Sequence, residues 1–156
     1  MKFVVALLTL FAATACGFQP VHSPASQAAS SGSIYIPEID GRAGHSLRKA
    51  LIAELAAGLP NVDSATLTVT LSDNLQRLAI RPDEAAARTD VIATGRYVLD
   101  TGDDAISGSA RSETSFNVPT GAFADIASQT DATERAVIQL ARLIAEDLRL
   151  QLLAEQ

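Results

Sequence analysis

The chain has 156 residues, nearly half of them apolar, with aromatics at 4% and no tryptophan, so one domain with a core of Leu, Ile, Val and Ala is expected. A formal net charge of −6 excludes the basic footprint of a protein that binds nucleic-acid backbones non-specifically. One cysteine and two histidines exclude an intramolecular disulfide and a multi-cysteine zinc site, leave little for general-base chemistry, and predict no metal or other cofactor.

Met1-Lys2 is a short positive start, followed by the apolar run Phe3 to Ala13. Eleven residues are too few to span a bilayer as a helix, which needs roughly 20. The length and the small-residue end match the apolar region of a secretory signal, residues 1–15. Ala13-Thr14-Ala15 then meets Cys16-Gly17. Small residues directly before a single Cys resemble the lipobox of bacterial lipoproteins, which implies an acylated Cys16. Ala13 and Ala15 equally suit an ordinary signal peptidase, and both readings cut before Cys16. Several acyl chains on one residue make an effectively permanent anchor, because each buried methylene contributes roughly 0.8 kcal/mol. Gly rather than Asp at position 17 resembles the sorting pattern for the outer membrane. Loss of residues 1–15 removes Lys2 and no acid, taking the charge from −6 to −7.

Residues 16–32 follow as the lipidated N-terminus and a Ser/Ala/Gly tether with no apolar period; His22 sits beside it as a solvated residue. The single folded domain then occupies 33–156. Ser33-Ile34-Tyr35-Ile36-Pro37 predicts a short strand closed by proline. From Gly44 to Ala57, Leu47, Leu51, Ile52 and Leu55 recur at helical spacing, with Gly58-Leu59-Pro60 as the stop and His45 at the first turn in a capping or surface role. Thr66 to Leu71 alternate strictly, placing Leu67, Val69 and Leu71 on the core side and the threonines outside. Leu78 and Ile80 fall on the opposite parity, so a bulge or break is expected between Ser72 and Arg77. Residues 89–99 predict a long strand with Val91, Ala93, Tyr97 and Leu99 on one face. The polar turn Asp100 to Asp104 leads into a further strand with Ile106, Gly108, Ala110, Thr114, Phe116 and Val118 on alternate positions. A last helix is expected from near Asp131, with Glu134 completing a capping-box pattern and a stripe of Val137, Leu140, Ala141, Ile144, Leu148 and Leu152. The order βαβββα with one-sided strands predicts an α+β two-layer sandwich: a mostly antiparallel four-stranded sheet packed by two helices.

Three segments resemble the LptE family of lipopolysaccharide-assembly lipoproteins in its alphaproteobacterial form: Cys16-Gly17-Phe18-Gln19-Pro20, the strand Arg96-Tyr97-Val98-Leu99 with its hairpin, and the terminal helix from Asp131 through Leu140-Ala141-Arg142-Leu143-Ile144. The resemblance covers nearly all of the mature chain; His22 stands where the family commonly has Tyr. It implies a lipid-anchored protein on the periplasmic face of the outer membrane. There it would bind, plug and help assemble a large β-barrel (LptD-like) and support delivery of lipopolysaccharide to the outer leaflet, with no covalent chemistry.

Lipopolysaccharide is anionic and so is this chain, but its charge is uneven. Residues 77–96 carry Arg77, Arg81, Arg88 and Arg96 against Asp83, Glu84 and Asp90, whereas residues 100–156 carry four Arg against ten acids. Arginine suits bidentate phosphate contact, so the 77–96 hairpin is the candidate contact for lipid A phosphates or an acidic barrel lumen. The threonine face of 66–70 and the Ser-rich face of 107–115 are polar surfaces, either packed against a barrel wall or wet. The chain has no G-x-S-x-G, no G-x-G-x-x-G and no Walker pattern, so an enzyme is not expected. The alternatives are an auxiliary lipoprotein of a periplasmic lipid or solute transporter and a structural envelope lipoprotein; the long heptads usual in the latter are missing.

Overall fold

The computed structural model describes residues 33–80, 86–119 and 121–154. The leader, Cys16, the tether with His22, and Arg81 lie outside these residues. The described elements run β1 (Ser33–Tyr35), α1 (Gly41–Glu54), β2 (Ser64–Ile80), β3 (Ala86–Asp100), β4 (Ala105–Asn117) and α2 (Ala122–Ala154). The strands form one sheet in the order β1-β2-β3-β4. The single parallel pair is β1 with β2, with α1 as the crossover between them. The β2–β3 and β3–β4 pairs are antiparallel. This is the expected βαβββα two-layer fold.

Directly opposite residues share a face of the sheet, so the register fixes which side chains meet the helices. Leu67↔Leu99, Val69↔Tyr97 and Leu71↔Gly95 continue on β4 as Ile106, Gly108 and Ala110. These positions face α1 and α2, whose Leu47, Leu51, Val137, Leu140, Ile144 and Leu148 are wholly buried. The largely aliphatic core takes in Tyr97, with Phe116 packed at its margin, and small residues complete it. Gly95 lies under α2, where an added Cβ would come within 3.0 Å of Ile144 and 3.3 Å of Leu140. The β3–β4 turn is closed by its own polar groups: Asp100 accepts from the Gly102 amide at 2.8 Å, Thr101 Oγ1 donates to the Asp104 carbonyl at 3.0 Å, and Gly102 takes φ +91°.

Three sequence expectations are corrected. The bulge falls between Arg77 and Ile80, not between Ser72 and Arg77; β2 continues unbroken through the polar stretch because β3 supplies a partner for every residue there. The first helix spans Gly41–Glu54 rather than 44–57, and His45 is exposed within it. The last helix begins at Ala122, nine residues before Asp131, so no capping box forms there. Asp131 lies inside the helix and pairs with Arg135 at 2.6 Å, four residues on. Alanines at 122, 124 and 127 favour helix intrinsically, and Asp125 in the first turn complements the helix dipole. No apolar stripe marks this first part, which is why periodicity alone starts the helix too late.

Candidate functional site

The same register that buries one face of the sheet leaves the other turned away from both described helices. On it Thr68, Thr70, Arg96, Val98, Ser107 and Ser109 are exposed or partly so, and Ile92 and Asp90, further along β3, are buried. Arg96 stands between Thr70 on β2 and Ser109 on β4, with Thr94 and Val98 beside it along β3. Among the described residues Arg96 takes no ion pair. Two further cations stand on this face: Arg111, engaged by Glu113 at 3.4 Å, and Arg88 at the far end of β3. A free guanidinium ringed by hydroxyls presents donors without a competing carboxylate, an arrangement suited to an anionic oxygen group.

The structure separates the candidate arginines. Arg77 is opposite Thr89 and therefore shares the helix-side face, while Arg88 pairs with Ala79 and Asn117 on the other. Arg96 follows Arg88 by eight residues, about 26 Å along a strand rising roughly 3.3 Å per residue. Arg77, Arg88 and Arg96 are all exposed. Near Arg88, Asp90 is buried and accepts a hydrogen bond from Ser115 at 2.6 Å. Arg77 and Arg88 therefore belong to the far end of the β2–β3 pair, and Arg96 to the middle of the sheet.

Two features escape sequence reasoning. The first is a polar latch between sheet and helix. The Tyr97 hydroxyl donates to Asp147, and the Gln151 side-chain amide donates to both Tyr97 (2.9 Å) and Asp147 (3.1 Å). Burial and the Asp147 carboxylate raise the Tyr97 phenol above its usual range, with Gln151 opposing, so it stays protonated and donating. The i, i+4 spacing of Asp147 and Gln151 beside the apolar stripe is the only local sign of it. The second is a cleft of about 400 Å³ where the start of α1 (Asp40 to Ala43), Leu71 and Asp73 of β2, and Ile126 to Glu134 of α2 meet. Ile126, which lines it, is 65% exposed, and Phe123, three residues earlier on α2, is 88% exposed. The i, i+3 apolar pair in 122–127 was a usable signal.

Among the described residues, no group of three or more His, Cys, Asp or Glu is placed to hold a metal, and no helix is long and apolar enough to cross a membrane.

Comparison with solved structures finds the same fold in several lipoproteins. A Caulobacter crescentus CB15 protein described as a lipoprotein is 27% identical, with a TM-score of 0.57 over 86% of this chain and 98% of that one. Rare lipoprotein B from Shewanella oneidensis is 16% identical, with a TM-score of 0.58 over 81% and 99%. A minor lipoprotein from Acinetobacter baumannii is 12% identical, with a TM-score of 0.51 over 79% and 92%. The last two show the fold alone. No curated protein matches the chain. The family model for LptE, lipopolysaccharide-assembly, matches residues 31–152, which is the whole of the described fold but for its last two residues. Membership carries a non-catalytic role in lipopolysaccharide assembly, partnership with an outer-membrane β-barrel, and a lipid-anchored place on the periplasmic side of the outer membrane. By the match over 31–152, and by a fold shared with lipoproteins of three other bacteria, this chain belongs to the LptE lipopolysaccharide-assembly family.

Proposed function

We propose that this chain, anchored through acylated Cys16, plugs an LptD-like barrel by laying the helix-free face of its sheet against the barrel wall, with Arg96 meeting an anionic group there. The observation that supports this reading is the free Arg96 guanidinium among Thr70, Thr94 and Ser109. Hydroxyls on a flat sheet surface exchange hydrogen bonds with a polar wall, which offsets the cost of taking polar groups out of water. One guanidinium in their midst fixes orientation by forked contact with a phosphate of lipid A or a lumen carboxylate. Arg88, at the far end of the strand pair, adds a second positive group to the same face, while Arg77 lies on the helix side.

The test is a mild-detergent pull-down of the tagged full chain from its own outer membranes, with mass spectrometry of the co-purifying proteins. A stoichiometric large β-barrel is expected. Recovery of an inner-membrane transporter, or of no partner, overturns the reading in favour of an auxiliary transport lipoprotein. Arg96→Ala is expected to weaken retention of the barrel or of lipopolysaccharide by about tenfold, the effect of losing one charge-assisted contact of roughly 1.5 kcal/mol. Equal retention by wild type and variant removes Arg96 from the interface. Cys16→Ala is expected to abolish acylation, read by intact-mass spectrometry of the mature protein, and so to leave barrel binding without the chains that stable anchoring requires.

A further inference from the structure

The domain uses Phe sparingly, and the structure spends one of them on solvent. Of five phenylalanines only Phe116 and Phe123 lie beyond residue 18, and Phe123 is 88% exposed. Ile126, one helical turn on, is 65% exposed and also lines the cleft of about 400 Å³. Both stand on the first two turns of α2, where residues 121–124 are exposed throughout, so burial within this domain does not account for their apolar character. An apolar pair beside a cleft is the anatomy of a docking surface, whereas single scattered apolar residues are ordinary.

The cleft exists because α1 begins only at Gly41, leaving the helix-side face of β2 uncovered past Leu71. Asp73 and Leu75 follow on that face, the first exposed and the second 43% exposed. The charged lining is Asp40, Asp73 and Glu134 against Arg42 alone, a balance of three negative to one positive. None of the three acids takes an ion pair among the described residues. The volume lies within the roughly 300–1,000 Å³ of clefts that enclose ligand groups.

We infer that this cleft receives an extended segment of a protein partner in which a lysine or arginine sits beside an apolar side chain. The basic group enters between Asp73 and Glu134, and the apolar one packs on Phe123 and Ile126. Charge complementarity selects the occupant: an acidic peptide or a lipid phosphate meets three carboxylates here, and a bare acyl chain leaves them desolvated and unpaired. The site lies on the helix side of the sheet and does not depend on the role given to Arg96.

Site-specific photo-crosslinking of the full lipoprotein in its own membranes tests this, with p-benzoylphenylalanine placed at position 123 and, in a separate protein, at position 68 on the polar sheet face. The expected adduct at 123 is a peptide carrying Lys or Arg within two residues of the captured site. Asp73→Lys with Glu134→Lys is expected to lower its yield at least about tenfold, because like-charge juxtaposition at a contact costs several kcal/mol. The position-68 adduct is expected to be unchanged by those substitutions. All four altered positions (68, 73, 123 and 134) are exposed, and an unchanged circular dichroism melt confirms folding. An adduct with lipid, with a second copy of this chain or with an acidic peptide, no adduct, or a yield indifferent to the charge reversal overturns the inference. Loss of the position-68 adduct to a barrel, with the position-123 result intact, counts against the sheet-face reading alone.

Discussion

The two faces of one sheet divide this molecule. Alternate residues of β2, β3 and β4 build the packed side (Leu67, Val69, Val91, Ala93, Leu99, Ile106), and the residues between them build the polar side (Thr68, Thr70, Arg96, Ser107, Ser109). The packed side is mostly aliphatic around Tyr97 and relies on small residues, Gly95, Ala110 and Gly108, to let α2 approach. On the polar side, burial among the described residues is confined to Asp90 and Ile92 of β3. Stability is therefore concentrated on one face, and the other is free to be shaped by what it touches.

Substitutions on the two faces are expected to fall into separate ranges. Leu140→Ala removes a wholly buried side chain that packs over Gly95 and is expected to cost about 2–5 kcal/mol in denaturant unfolding. Gly108→Ala places a Cβ against the Tyr97 hydroxyl and 3.1 Å from the Asp147 carboxylate; overpacking of this kind costs about 1–3 kcal/mol, seen as a lower unfolding midpoint. Tyr97→Phe withdraws the donor to Asp147 and is expected to cost about 1.5–3 kcal/mol, the range for a bond to a charged group. That variant also carries a pH signature. The Tyr97 phenol is raised in the folded protein, so the unfolded chain loses this proton first, near pH 10. The latch's contribution is complete below that pH and declines as pH rises toward the folded value. A melting series from pH 8 to 11 should therefore fall more steeply for wild type than for Tyr97→Phe. Arg96→Ala is expected to change stability by less than about 0.5 kcal/mol. A loss comparable to that of Leu140→Ala would break the division between the faces.

Much of this division was legible in the chain. The alternation of 66–71, 89–99 and 106–118 assigned each residue its face, because the strand period of two is local. The stripe from Val137 to Leu152 located the helix that packs there. The polar turn at 100–104 was legible because Asp, Thr and Gly satisfy its geometry among themselves. The first turns of α2 were not, since residues 122–127 follow alanine propensity rather than burial. The bulge was assigned too early, because parity shows that a shift exists without saying where the partner strand absorbs it.

The candidate surfaces divide in the same way. Arginine content marked 77–96 as the positive segment, but grouped residues that the pairing sends to opposite faces and eight positions apart. The latch of Tyr97, Asp147 and Gln151 and the cleft beside Ile126 join residues far apart in sequence, so the local spacings on α2 mark one side of each without naming its partners. By itself the sequence determined the elements, the buried face and the family, through hydrophobic period and motifs that act over a few neighbouring residues. Only the tertiary structure decided which polar groups stand together, which arginines share a face of the sheet, and where the shorter helix leaves the sheet uncovered, because those depend on register and on how far one element reaches past another.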